Sequence, residues 1–249
     1  MMDKPSNFLG DIINSKNEIR ESLRPVFEME RELHQKIQAI ISPVLRESTV
    51  ALSVEDAWVK NTRDGWAIAA SMGLHDYTDM AELVNTSQKN EYMLKYYFEE
   101  NSYYLDQELD FISSCGNEWA EYLTDAFDLL KQDFETYYKV VFPIAYIYLE
   151  AILVRICNKD VVTDVGKKLL TSVSENSKKD ESFAALLISG SLQMMKQSTY
   201  KYSDFATLSE ADINRNTILH GRIAPIHWNK VEFLKVITLL STMSLAIME

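Results

Sequence analysis

Apolar residues recur at helical spacing along most of this chain. In the first 48 residues, one stripe is spaced by threes, fours and sevens, which places its side chains on one face of a helix. It predicts one long amphipathic helix, or two in series with Pro25 in the first turn of the second. We expect the stripe to pack on the rest of the chain, and a coiled-coil seam is the alternative. The stripe consists of Ile12, Ile19, Leu23, Val26, Leu33, Ile37, Ile40 and Val44.

The middle of the chain is irregular at first and then clearly helical. Within residues 48–90, the segments Val50–Val54 and Trp66–Ala70 also allow a hairpin of two short strands. An acidic, aromatic stretch follows, and we interpret its aromatic residues as core rather than as a platform for a ligand. Residues Trp119–Phe134 then form an amphipathic helical pattern.

The most apolar segment runs from Val140 to Ile156. It contains Pro143, Glu150 and Arg155, and it is shorter than the roughly 20 apolar residues that a membrane span requires. Charges near the centre of a bilayer are also costly. The segment therefore predicts a buried core helix and no membrane anchor. No signal peptide is expected, because no positively charged region followed by an apolar core begins the chain.

Helical periodicity continues to the C-terminus after loop-forming residues at 174–180. Ser209 with Asp212 resembles a capping box and predicts where a motif-bearing helix begins, and Gly221 predicts where it ends. Asn229 with Glu232 predicts the cap of the last helix. The predicted helices are Ser182–Lys196, Glu210–His220 and Asn229–Met248.

Composition also favours an all-α fold. Seven glycines and five prolines are few for 249 residues, whereas a β-protein needs many turns. The two cysteines, Cys115 and Cys157, form no C-x-x-C pair, so we predict buried thiols in a reducing, cytoplasmic compartment and no metal site.

Charge divides the chain into two unequal parts. Residues 1–138 carry 12 basic and 26 acidic residues, a net −14, whereas residues 139–249 carry 13 and 11, a net +2, and the sum is −12. An acidic surface repels nucleic-acid phosphates, so only the second part has a net charge that is compatible with binding a nucleic acid. We therefore predict two regions with different roles: 1–136, acidic, mostly helical and regulatory, and 137–249.

The helix predicted over Glu210–His220 carries Arg215, Asn216 and His220. Asn216 and His220 are four residues apart and share one helical face, and the long Arg215 side chain reaches the same region. A neutral histidine can deprotonate a ribose 2′-hydroxyl, an arginine can hold the phosphate and an asparagine can orient either group. These residue types suit RNA cleavage without a metal. The alternative is a capped helix with an ordinary surface arginine and a terminal histidine.

Four further residues are candidates to support this site. Glu150 lies in an apolar helix and needs a partner, so we predict a salt bridge to Arg215, with an exposed helix edge as the alternative. Arg222 is a candidate second phosphate contact. His227 and Trp228 follow on a loop, where Trp228 would either stack on a base or anchor the loop.

The sequence Ile213–Gly221, read INRNTILHG, resembles the signature of HEPN domains, in which a polar residue often follows the arginine of an R-x4-6-H motif. The segment Phe142–Leu153 is similar to the first long helix of Abi-like and prophage-type members, and the last helix also fits. The resemblance covers residues 137–249.

This resemblance implies an antiparallel bundle of four to five helices that forms a homodimer, so that two motif helices build one RNA-cleaving cleft. It implies that Arg215 and His220 are catalytic, that Asn216 supports them, and that no metal or other cofactor takes part. HEPN members act as toxins, abortive-infection effectors and phage-defence ribonucleases, so a protein partner or antitoxin is also expected.

Two other hypotheses stay open at the level of sequence. Some HEPN proteins only bind RNA or partners, so this chain could be a non-catalytic binding module whose acidic part attracts a basic protein. A purely structural helical protein, which oligomerises through the N-terminal stripe, is the third hypothesis.

Overall fold

The computed structural model describes residues 49–157, 167–177, 183–201, 206–209 and 212–247. Within these residues the chain forms ten α-helices and three short 3₁₀ helices, with no β-strand. The protein is therefore all-α. The predicted N-terminal stripe, residues 12–44, lies outside the described residues.

The helices have the following bounds along the described part of the chain. The α-helices are α1 Thr49–Arg63, α2 Leu74–Ala81, α3 Thr86–Phe98, α4 Tyr103–Ser114, α5 Ala120–Gln132, α6 Phe134–Cys157, α7 Lys167–Ser177, α8 Phe183–Gln197, α9 Arg215–Leu219 and α10 Lys230–Ile247. The 3₁₀ helices are Glu99–Ser102, Asn117–Trp119 and Pro225–His227. The predicted cap of the last helix is confirmed, because the Asn229 side chain accepts a hydrogen bond from the Glu232 amide at 2.9 Å.

The alternative of a hairpin at Val50–Val54 and Trp66–Ala70 is wrong. The first segment lies in α1, and the second is a largely buried connection without regular secondary structure and without a neighbouring strand in the described part of the chain. Hydroxyl groups of α10 form hydrogen bonds with the backbone of this connection instead of a neighbouring strand. Thr242 Oγ1 donates to the Ile68 carbonyl at 2.5 Å, and Ser241 Oγ accepts from the Ala70 amide at 2.9 Å.

Helices α6 and α10 form the centre of the bundle. α10 packs against α4, α6 and α8, while α6 also packs against α5, α7 and α9. Residues from Leu52 onward form one compact unit. The predicted boundary at 136/137 falls within this unit, close to the start of α6, so residues on both sides of it share one core. Different roles for the two regions stay a prediction.

Helix α6 is a core helix, as its apolar sequence predicts. It begins six residues before Val140, where the Asp133 carboxylate accepts a hydrogen bond from the Thr136 amide at 3.1 Å and caps the first turn. By length and composition alone α6 could cross a membrane, but half of its most apolar 18-residue window is buried in the protein. Cys115 and Cys157 are buried, as predicted.

Gly190 marks a close contact between two helices. A Cβ atom at this position of α8 would overlap with the rigid indole of Trp58 in α1. We therefore expect Gly190→Ala to lower the free energy of unfolding by about 1–3 kcal/mol, although alanine favours a helix over glycine by up to about 1 kcal/mol. Urea unfolding measures this change. The control is Ser189→Ala at the exposed neighbouring position, and a more stable Gly190→Ala variant would contradict the contact.

Candidate functional site

The motif helix α9 is shorter than the sequence predicts. It covers Arg215–Leu219 instead of Glu210–His220. Its N-terminal cap is Asn214, whose side-chain oxygen accepts hydrogen bonds from the amides of Asn216 at 2.9 Å and Thr217 at 3.2 Å. The Thr217 hydroxyl in turn accepts from the Asn214 amide at 3.0 Å and completes a capping box.

The predicted start of this helix at Ser209 and Asp212 is therefore wrong. These two side chains bond to each other, with Ser209 Oγ donating to Asp212 Oδ2 at 2.8 Å. Both residues lie before the first residue of α9. The true capping box lies further along the chain because Asn214 and Thr217 together satisfy the free donors of the first helical turn.

The end of α9 agrees with the prediction. Gly221 adopts a left-handed backbone with φ of 60°, a conformation that costs glycine little. The preceding residue, His220, is exposed and caps the helix, and its amide donates to the Asn216 carbonyl at 3.1 Å. Asn216 and His220 therefore lie one turn apart on the same side of α9, as their spacing indicates.

The Arg215 side chain is held by three neighbours. Its Nη2 lies 2.6 Å from Glu150 Oε1 of α6, and its Nη1 donates to Asn216 Oδ1 at 3.1 Å. The guanidinium also lies over the Tyr200 ring, 5.6 Å from the ring centre. Because the Arg215 and Glu150 side chains are only 15% and 24% exposed, the ion pair is well shielded from water. The predicted salt bridge between Glu150 and Arg215 is confirmed.

The backbone fixes the same arginine. The Arg215 amide donates to the Thr199 carbonyl at 3.1 Å, so the segment after α8 is attached to the first residue of α9. Burial raises the pKa of the neighbouring Tyr200 phenol well above its usual range, and the Glu150 carboxylate raises it further. Tyr200 is therefore a neutral surface on which the guanidinium rests.

Sequence reasoning missed Tyr200 and Thr199. Both residues precede the motif by about 15 positions, and no local spacing connects them with it. Only the packing of the segment after α8 against α9 reveals their part in the site.

Trp228 is an anchor and is not available for base stacking. It is buried, its indole nitrogen donates to the Ile223 carbonyl at 2.9 Å, and its own carbonyl accepts from the Tyr138 hydroxyl at 2.8 Å. The interpretation of Trp228 as a loop anchor is thus confirmed. The alternative, stacking on a base, is wrong, because the apolar ring completes the core beside Phe142.

The structure groups the remaining candidates in two places. Glu150, Arg215 and Asn216 are in direct contact where α6 meets the start of α9. Arg222 and His227 lie exposed on the loop that follows α9, near His220 in sequence. Among the described residues, no group of three or more histidine, cysteine or acidic side chains is placed to bind a metal ion.

These observations define the class of the protein: an all-α helical bundle with a shielded arginine–carboxylate pair at the start of a short capped helix. No protein-family model, no curated protein and no solved structure matches the chain significantly. The resemblance to HEPN domains therefore depends on the residues of the motif and on the order of the helices around it.

Proposed function

We propose that this protein is a metal-independent endoribonuclease of the HEPN type, which acts as a cytoplasmic homodimer in phage defence, abortive infection or growth arrest. The observation that carries the proposal is the fixed guanidinium of Arg215, with the exposed imidazole of His220 at the other end of the same short helix. A positioned cation and a nearby base are the two groups that cleavage of RNA by its own 2′-hydroxyl requires.

The reaction follows from these roles. His220 removes the proton of the ribose 2′-hydroxyl, and the 2′-oxygen attacks the adjacent phosphorus while Arg215 stabilises the charge that develops on the phosphate oxygens. The bond between phosphorus and the 5′-oxygen breaks, and that oxygen takes up a proton from water. The hydroxide that remains takes the proton from His220, which restores the neutral imidazole. The products are a 2′,3′-cyclic phosphate and a 5′-hydroxyl end.

Glu150 and Asn216 position the arginine in this proposal. A guanidinium has five N–H donors, and Glu150 and Asn216 each engage one terminal nitrogen of Arg215. Donors therefore remain for a phosphate. A guanidinium that is already oriented loses less entropy when it binds its ligand.

An exposed apolar row on α6 supports the proposed homodimer. Val140, Ile147 and Val154 recur every seven residues and are 56%, 44% and 40% exposed. This spacing places them along one side of the helix, as in paired helices. Because Glu150 belongs to the same helix, a second copy that packs along this row would bring its own site toward that of the first copy.

The proposal is tested by incubating the purified protein with total RNA in the presence of EDTA. We expect cleavage that leaves 2′,3′-cyclic phosphate ends, and we expect His220→Ala to lose about 10²–10⁴-fold in rate. The matched control is His75→Ala, which removes an exposed histidine from α2. Intact RNA at every protein concentration, or equal rates for the two variants, would sink the nuclease proposal.

A binding module without catalysis is the second candidate. Apart from the buried Glu108, residues 103–132, which span α4 and α5, contain six acidic residues and one basic residue, and this acidic segment would attract a basic protein partner or an antitoxin. Toxicity separates the two candidates. A ribonuclease should slow growth on expression, and its His220→Ala variant should not, whereas equal tolerance of both forms favours the binding module.

A further inference from the structure

The exposed apolar row on α6 is part of a longer seam. Three further apolar residues beside the row are partly buried, and together the six residues alternate at spacings of three and four along the helix. This is the heptad spacing of two helices that pack side by side. None of the six is charged, whereas a helix face that stays in water is usually polar. The α6 seam consists of Tyr137, Val140, Ile144, Ile147, Ala151 and Val154.

The two ends of the α6 seam differ in shape. The large side chain of Tyr137 lies at the N-terminal end and is partly buried. The smaller Ala151 and Val154 lie at the C-terminal end, where they line a cavity of about 580 Å³ between α6 and the 3₁₀ helix Asn117–Trp119. A cavity of this size accommodates an aromatic ring. One end of the seam therefore presents a bulky side chain, and the other end has room for one.

The lining of this cavity suits a neutral ring with a polar tip. Trp119 and Tyr148 form aromatic walls, and their ring centres are 5.9 Å apart. Glu118 and Arg155 also line the cavity, so its one negative and one positive charge offset each other, and Arg155 contacts the side-chain amide of Asn117. A phenol can bury its ring against the aromatic walls, and its hydroxyl can hydrogen-bond with these polar groups.

We infer that two copies of this chain pair in antiparallel orientation along their α6 seams, so that Tyr137 of each copy enters the cavity of the other. The two-fold axis passes between Ile144 and Ile147, which face each other across the pair. At this register, Tyr137 of one copy lies opposite Val154 of the second copy. The surface is thus self-complementary, as a two-fold interface requires. The inference rests on the homodimer of the proposed function and adds its surface and its orientation.

A parallel pair fits the same seam less well. It would place Tyr137 beside Tyr137 of the second copy, and Ala151 beside Ala151. Facing positions pack densely when a large side chain meets a small one, and side chains that line an unfilled volume lose dispersion contacts. A parallel pair would leave both cavities unfilled and would crowd the two tyrosines, so the shape of the seam favours the antiparallel orientation.

Sedimentation velocity of the full chain over a range of micromolar concentrations measures the pairing. We expect a dimer, and Tyr137→Ala should raise its dissociation constant about thirtyfold or more, because each dimer loses two buried aromatic anchors. The matched control is Tyr103→Ala, which truncates a tyrosine that is 53% exposed at the start of α4. This control should associate as tightly as the parent protein.

A charge in the middle of the seam provides a second test. Ile147→Glu would place two carboxylates near the two-fold axis, so we expect a monomer. Its circular dichroism should match that of the parent protein, because Ile147 is 44% exposed in a single copy. Val84→Glu is the control, since Val84 is an 88% exposed apolar residue outside the seam. If Ile147→Glu stays dimeric, another surface of the chain forms the dimer.

Spin labels report the orientation. Glu135 is exposed in the first turn of α6, and the two native cysteines are buried, so Glu135→Cys can be labelled selectively. An antiparallel pair separates the two labels by about 30 Å along the helix axes, at 1.5 Å per residue. In a parallel pair the labels would lie level with each other. Pulsed electron paramagnetic resonance measures this distance.

The inferred pairing is overturned if the chain is monomeric throughout the micromolar range, if Tyr137→Ala associates as tightly as Tyr103→Ala, or if the labels lie level. None of these measurements uses RNA, so the result is separable from the proposed function. RNA cleavage by a monomer or a parallel dimer would retain the nuclease and overturn the pairing. An antiparallel dimer that leaves RNA intact would retain the pairing and refute the nuclease.

Discussion

Arg215→Ala is expected to reduce RNA cleavage by about 10³-fold, because the variant removes the charge that stabilises the phosphorane. It should also lower the free energy of unfolding by about 1–3 kcal/mol, since the Glu150 carboxylate would remain partly buried without its cation. The side chains are 15% and 24% exposed, which moderates this loss relative to a fully buried pair. Cleavage rates and urea unfolding measure the two effects separately.

Two further variants separate catalysis from stability. Arg215→Lys keeps the positive charge but cannot contact Glu150, Asn216 and a phosphate with one rigid fork, so we expect a stable protein with little activity. Glu150→Gln keeps the shape of the side chain and leaves Arg215 intact but less firmly oriented, so its activity should fall less than that of Arg215→Ala. The proposed role of Arg215 would be contradicted by two results together. Arg215→Ala would lower the free energy of unfolding less than Glu150→Gln does, and it would cleave RNA at the rate of the parent protein.

Glu108→Ala is expected to lower the free energy of unfolding by about 3 kcal/mol, the largest change outside the motif. Glu108 of α4 is fully buried and accepts hydrogen bonds from the Ala70 amide at 3.0 Å, the Ser71 amide at 3.1 Å and the Ser71 hydroxyl. It thus provides hydrogen-bond acceptors for the end of the buried connection between α1 and α2. Without the carboxylate, the Ser71 amide loses its acceptor and a cavity replaces the side chain.

The stability that Glu108→Ala loses should depend on pH. Burial raises the pKa of Glu108 above its ordinary value of 4.5, although the hydrogen bonds from Ser241, Ser71 and Ala70 offset part of this effect. As the pH rises, the unfolded chain releases this proton before the folded protein does. The contribution of Glu108 to stability is therefore complete below pH 4.5 and decreases as the pH rises through the folded-state pKa.

Urea unfolding at several values between pH 4.5 and pH 8 tests this expectation. The difference between the parent protein and Glu108→Ala should be largest at the acidic end and smaller at the alkaline end. Glu121→Ala, which removes an exposed carboxylate of α5, is the control. A loss below about 1 kcal/mol, or a difference that does not change with pH, would show that the carboxylate does not organise this part of the core.

The sequence by itself determined the helical class and several helix ends. The apolar period and the scarcity of glycine and proline predicted an all-α protein, and Gly221 and Asn229 marked helix ends correctly. These features are local, because a helix satisfies its backbone within a few residues and its caps lie next to it in the chain. The pair of Glu150 and Arg215 could also be predicted, since a carboxylate in an apolar helix requires a partner.

Only the tertiary structure decided the features that join distant segments. Trp66–Ala70 resembles a strand, but hydroxyl groups of α10, about 170 residues later, bind its backbone. Helix α9 begins at Arg215, and not after Ser209 as the sequence predicts, because Asn214 and Thr217 form its capping box. Trp228 packs in the core, and Tyr200 lies against the guanidinium of Arg215. Such contacts depend on which helices pack together. That packing buries apolar surface and leaves few polar groups unpaired over the whole chain, so no local pattern records it.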